Sequence, residues 1–165
     1  MARFALVTAA FALLGLAGCG PGTGGGPVPP PMDTCTAPVQ GSVDTLVIGA
    51  GNPADLSSGT ASPFAPLHDG DGMTPVRGGQ GATMLGFVLA ATGSSVPSCL
   101  EQQTLITDGS GGTVTQSLVP LTTYAQPDGS HATHAMWMPA SYPQTFVVSA
   151  TAGGQTVSLH LHLAQ

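Results

Sequence analysis

Positive charge is almost missing from this 165-residue chain: Arg3 and Arg77 are its only cations, and eight acidic residues bring the formal charge to −6. Nucleic-acid binding needs a basic face to neutralise phosphates, so that class is excluded. Charge of either sign is scarce, 6% of residues against about 25% in ordinary soluble domains. The surface must therefore be built largely from Gly, Ser and Thr. No apolar run approaches the roughly 20 residues of a bilayer-spanning helix, and neither heptads nor repeats of about 20 to 50 residues occur. Helix-spanning membrane proteins, coiled coils and solenoids drop out. Enzyme signatures are missing too: there is no GxSxG, HExxH, Walker loop or dinucleotide fingerprint.

What is present starts with an address. Residues 1–19, MARFALVTAAFALLGLAGC, place Arg3 before an apolar run from Phe4 to Leu16, then small residues and a cysteine. That layout is a secretory signal peptide. Leu16-Ala17-Gly18-Cys19 resembles the lipobox of bacterial lipoproteins. The resemblance implies that residues 1–18 are removed and that Cys19 carries a diacylglycerol on sulfur and an acyl chain on its new amino group. Two or three chains make a stable anchor, because each buried CH₂ contributes about 0.8 kcal/mol and one chain alone holds only marginally. In many Gram-negative lipoproteins an Asp after the lipidated Cys retains the protein at the inner membrane; Gly20 stands here, which by that resemblance favours the outer membrane.

Residues 19–33 continue as a Gly/Pro-rich tether, GPGTGGGPVPPPMD after the cysteine, with too little apolar side chain to fold. With Cys19 given to lipid, Cys35 and Cys99 remain in an oxidising compartment and are expected to pair. No C-x-x-C spacing suggests a redox role.

Residues 34–165 are long enough for one domain. Seven short segments rich in Val and Thr, at 43–49, 83–92, 101–107, 113–121, 132–138, 145–151 and 155–163, read as strands. Turn signals at DGSGG (108–112), QPDGS (126–130) and AGGQ (152–155) separate them. This pattern predicts an all-β fold, a single antiparallel β-sandwich of immunoglobulin-like architecture, with a small barrel as the alternative. Residues 50–82 break the rhythm and are expected to drape over the strands as loops and short edge strands. Within and beside them, LVIGAG (46–51), PFAPLHDGD (63–71) and VRGGQGATM (76–84) resemble a pattern in uncharacterised secreted lipoproteins of high-GC Gram-negative bacteria. That resemblance implies no chemistry.

The densest set of donor side chains is SHATHAMWMP, 130–139. On one continuous strand His134, Met136 and Met138 share a face and Trp137 takes the other. An imidazole with two thioethers suits Cu(I). The set is similar to that of small periplasmic copper and silver chaperones, although there a tryptophan caps the metal. In the competing reading the methionines fill the core and the histidines are solvated. In LHLHL, Leu159, Leu161 and Leu163 are expected to face the core, leaving His160 and His162 outside. HDGDG (68–72) looks like the first half of a calcium loop, but Thr74 and Gln80 stand where the second half needs Gly and Glu. DGSGG resembles the serine-protease string GDSGG, with Gly109 intruding between acid and serine.

The expected function is a non-enzymatic, membrane-anchored binding or structural module of the cell envelope, whose partner is an envelope protein or a glycan and which needs no cofactor. The alternative is a soft-metal protein holding Cu(I) through His134, Met136 and Met138.

Overall fold

The computed structural model describes residues 34–54 and 63–164. Residues 1–33, which carry the signal-peptide, lipidation and tether expectations, lie outside the described residues. Among the described residues there is no helix, and ten strands follow in order: β1 (Thr45–Ala50), β2 (Gly72–Met73), β3 (Val76–Arg77), β4 (Thr83–Thr92), β5 (Cys99–Asp108), β6 (Thr113–Ala125), β7 (His131–Thr133), β8 (Met136–Pro139), β9 (Thr145–Ala152) and β10 (Gln155–Leu163). Each expected segment is extended, but 132–138 is split between β7 and β8.

The strands pair in the order β1-β4-β7-β6-β5-β9-β10-β2, with β3 and β8 added onto β4. All pairs are antiparallel except β10 with β2, which is parallel at His162 and Gly72. This is a mixed, nearly closed, barrel-like sheet, and it corrects the expectation of a clean antiparallel immunoglobulin-like sandwich. Two features produce the difference. The first is the length of β6: it pairs with β5 from Thr113 to Thr122 and then with β7 from Thr123 to Ala125, so one strand joins the two halves. The second is the segment after β1, which folds back along the outer edge of that strand. Leu67 N–H donates to Ile48 O at 2.9 Å and Ala50 N–H to Ala65 O at 3.0 Å, and three residues later Gly70 N–H donates to His160 O at 2.7 Å. The irregular segment therefore bridges β1 to β10 and closes most of the gap between the ends of the sheet.

Alternation fills the interior. From β9, Phe146, Val148, Ala150 and Ala152 point inward, and from β4, Leu85, Phe87, Leu89 and Ala91 do. They meet Ile48, Ile106, Met136, Met138 and Leu161 in one core cluster. Among the buried polar residues Gln102 stands apart: its Nε2 donates to Thr104 Oγ1 at 3.0 Å, while its buried Oε1 has no partner among the described residues. Turn chemistry sets the registers. Gly153 and Gly154, both at positive φ (55° and 81°), make the two-residue link between β9 and β10 that β-branched residues would not tolerate. Pro120 sits inside β6 without breaking it, because its carbonyl, accepting from Cys35 N–H, faces away from β5 and the missing N–H lies on the same side.

Candidate functional site

The His/Met strand does not form the expected ligand set. The ladder stops after Thr133 and resumes at Met136, so the period-2 relation that would align His134 with the methionines is lost. Met136 and Met138 are 2% and 3% exposed and belong to the hydrophobic core. His134 instead lies against Tyr124, ring centroids 4.5 Å apart and nearly parallel. Trp137 takes the opposite face, as alternation requires, and covers Gly86, where a Cβ would stand 2.8 Å from the indole. Thioethers sealed in a core pack as apolar groups, and the expected Cu(I) set of His134, Met136 and Met138 is not brought together on one face. Among the described residues no three His, Cys, Asp or Glu side chains stand close enough to hold a metal.

A different polar group assembles at the seam. HDGDG and LHLHL, far apart in sequence, meet where the irregular segment joins β10. Asp69 Oδ1 accepts the His160 backbone N–H at 2.6 Å and approaches its Nδ1 at 3.3 Å. Asp71 Oδ2 accepts the His68 N–H at 2.8 Å, and Asp71 O accepts the His162 N–H at 3.1 Å. His160 and His162 are exposed while Leu161 is buried and Leu159 and Leu163 pack on the core, as the alternation predicts. Both aspartates thus serve as acceptors for backbone donors, and the half calcium loop acts as a latch for the sheet's closure.

The hydrogen bond from the His160 backbone holds the Asp69 carboxyl below the usual carboxylate range, helped by the His160 ring and opposed by slight burial. A carboxyl whose pKa is lowered by folding stabilises the fold above its unfolded value, and the contribution is lost as the pH falls through the folded one. The protection factor of the His160 amide is therefore expected to fall in Asp69→Ala at neutral pH, and in the native chain only below about pH 4. Hydrogen exchange checks this; equal protection in both proteins at neutral pH would show that the carboxylate does not hold the seam.

DGSGG is likewise a turn. Asp108 Oδ1 accepts from Ser110 N–H at 2.9 Å, Ser110 Oγ at 2.7 Å and Gly112 N–H at 2.8 Å. The serine hydroxyl is a donor to the carboxylate that shapes the hairpin, a structural task that also lowers the Asp108 pKa, with the Ser110 hydroxyl the first cause. Asp128 repeats the device with Ser130 in QPDGS.

The feature that sequence reasoning missed lies beside the cross-link. Cys35 and Cys99 stand at disulfide-bonding distance, Cα atoms 5.8 Å apart, as expected. The chain that follows Cys35 runs over the outer face of β5, β6 and β9, where Val39 N–H donates to Cys99 O at 3.0 Å. Between them is an open groove of about 300 Å³, lined by Val39, Gly41, Glu101, Gln103, Leu118 and Thr151 among others. Among the described residues, Val39 (51% exposed) and Leu118 (61%) are two of the three large hydrophobic side chains left exposed. Their distance in the sequence hid them: only the fold brings residues 39 and 118 to one surface. Comparison of the chain with protein-family models, with curated proteins and with solved structures gives no match.

Proposed function

We propose that this protein is a non-enzymatic lipoprotein of the cell envelope: a lipid on Cys19, the tether of residues 20–33, and a barrel-like domain that binds or spaces a neighbouring envelope protein or glycan. The observation that carries the reading is the distribution of the three cysteines. Two of them meet at disulfide-bonding distance, which suits an oxidising compartment, and the third is the one in Leu16-Ala17-Gly18-Cys19. The outer membrane is the destination that Gly20 favours.

The placement of the cross-link also suits a tethered domain. Cys35 stands two residues beyond Asp33, the end of the tether, and it is joined to buried Cys99 at the start of β5. Force applied through the lipid anchor would be passed at once into the sheet, so the segment 36–44 would not be peeled away. Fourteen residues of tether reach at most about 45 Å, which keeps the groove close to the membrane that holds it. The capped DGSGG turn, with Ser110 committed to Asp108, supports a binding role over a hydrolytic one.

Expression in a Gram-negative host, followed by fractionation, tests the reading. The native chain is expected in the membrane fraction and to incorporate labelled palmitate; Cys19→Ser is expected to lose the label and the lipid-dependent membrane association. Label retained in Cys19→Ser, or a native chain that takes up none, would overturn it.

A further inference from the structure

We propose that residues 115–119 of β6 are an interface, pairing edge to edge and antiparallel with the same residues of a second copy of this chain. The inference is independent of the lipid anchor. One side of β6 is hydrogen-bonded to β5. On the other side, among the described residues, no strand pairs with 113–120: Thr34 bridges Leu121, Cys35 N–H reaches Pro120 O at 3.3 Å, and β7 begins opposite Thr123. The direction of the unused groups follows from the ladder. Pro120 O points away from β5, and in an antiparallel pair the outward groups recur at every second residue. Gln116 and Leu118 therefore present their N–H and C=O groups along an open edge.

The usable window has two ends. At one, the register of β5 and β6 shifts between Ile106 and Thr107, a bulge that takes in Val114. At the other, the chain at Cys35 occupies Pro120. Five residues remain, Thr115 to Val119, and Ser117 is their centre. A two-fold axis at Ser117 sets Gln116 opposite Leu118 of the second copy and the reverse, which makes four backbone hydrogen bonds. The same axis sets Ser117 opposite its own equivalent and Thr115 opposite Val119.

The chemistry of the window chooses a second copy as occupant. It holds no charge, so two copies of a chain of charge −6 meet here without like charges opposite each other. Facing hydroxyls, as at Ser117, are a pairing this fold already uses: Ser149 with Ser158 at 2.8 Å and Thr151 with Thr156 at 2.9 Å, each across the β9–β10 ladder. Leu118, the most exposed large hydrophobic side chain among the described residues, would be partly covered. A five-residue edge falls well short of the roughly 1,600 Å² of a standard stable interface, so the dimer is weak, with dissociation in the micromolar to millimolar range.

Sedimentation equilibrium of the full chain in detergent, up to millimolar concentration, tests this. The native chain is expected to show reversible dimerisation. Gln116→Lys with Leu118→Lys places like charges directly opposite in this register and is expected to weaken it at least tenfold, and Gln116→Glu with Leu118→Glu equally. Mixing the two variants is expected to restore association as a heterodimer, a result that also shows both are folded. A native chain that stays monomeric, a lysine variant that still dimerises, or a mixture that does not associate would each overturn the proposal.

Discussion

Removing the cross-link by Cys35→Ala with Cys99→Ala is expected to lower the free energy of unfolding by about 4 kcal/mol. The pair closes a loop of 64 residues, and the chain-entropy argument assigns the gain to conformations withheld from the unfolded chain. Three native features make the loss concentrated. Thr34, Cys35 and Val39 touch β5 and β6 through one bridge and two backbone hydrogen bonds. Without the sulfur link these contacts, with Ser42 N–H to Ser95 O at 3.0 Å and Asp44 N–H to Thr92 O at 2.7 Å further along, hold the N-terminal segment to the sheet. Natural domains are stable by only about 5–15 kcal/mol, so the variant is expected to sit close to unfolding at 37 °C. Denaturant unfolding of the oxidised chain and the double variant measures the difference. A change under about 1 kcal/mol would mean that the unfolded chain is already compact around these residues.

Met136→Ala is expected to destabilise the domain by about 2–5 kcal/mol. Met136 is 2% exposed, pairs with Phe87 on the adjacent strand β4, and lies in the cluster with Ile48, Leu85, Phe146 and Val148. Truncation leaves a cavity that a sheet pinned on both sides of β4 is poorly able to collapse into. Met136→Leu with Met138→Leu keeps the apolar volume and is expected to cost less than about 1.5 kcal/mol per site. The same leucine pair separates packing from metal binding: in competition with a Cu(I) chelator under reducing conditions it is expected to behave as the native chain does. A native chain that withdraws Cu(I) when the leucine pair does not would restore the two thioethers as ligands.

These two tests fall on either side of what the sequence made legible. Strands β4 and β10 occupy 83–92 and 155–163, the bounds indicated by an apolar run in the first and by alternation in the second, where inward and outward positions differ in composition. His160 and His162 are outside and Leu161 inside for the same reason. The break at His134 and Ala135 left no such mark. It is stabilised by a ring contact with Tyr124, on another strand, and a local pattern has no means of recording a partner ten residues away. Sheet closure was hidden more deeply. It rests largely on backbone groups of Ile48, Leu67, Gly70 and His160, which every residue but proline supplies alike, and on Thr122 to Ala125 extending β6 beyond its apolar run to reach β7. Composition therefore indicated strands but left the difference between sandwich and barrel to hydrogen bonds that it does not encode.

Of the candidate sites, Asp69 and His160 were both noticed in the sequence as separate motifs; their meeting depends on the seam. The groove was invisible, since Val39 lies before the first expected strand and Leu118 within another, and only the fold sets them side by side.

The account stands or falls on what is attached to Cys19, and the intact mass of the protein extracted from membranes measures that directly. The account predicts a chain that begins at Cys19, heavier than its polypeptide by a diacylglyceryl group and an amide-linked acyl chain, and lighter by two hydrogens for the Cys35–Cys99 bond. A mass that includes residues 1–18, or a chain beginning at Cys19 with no lipid, would contradict it.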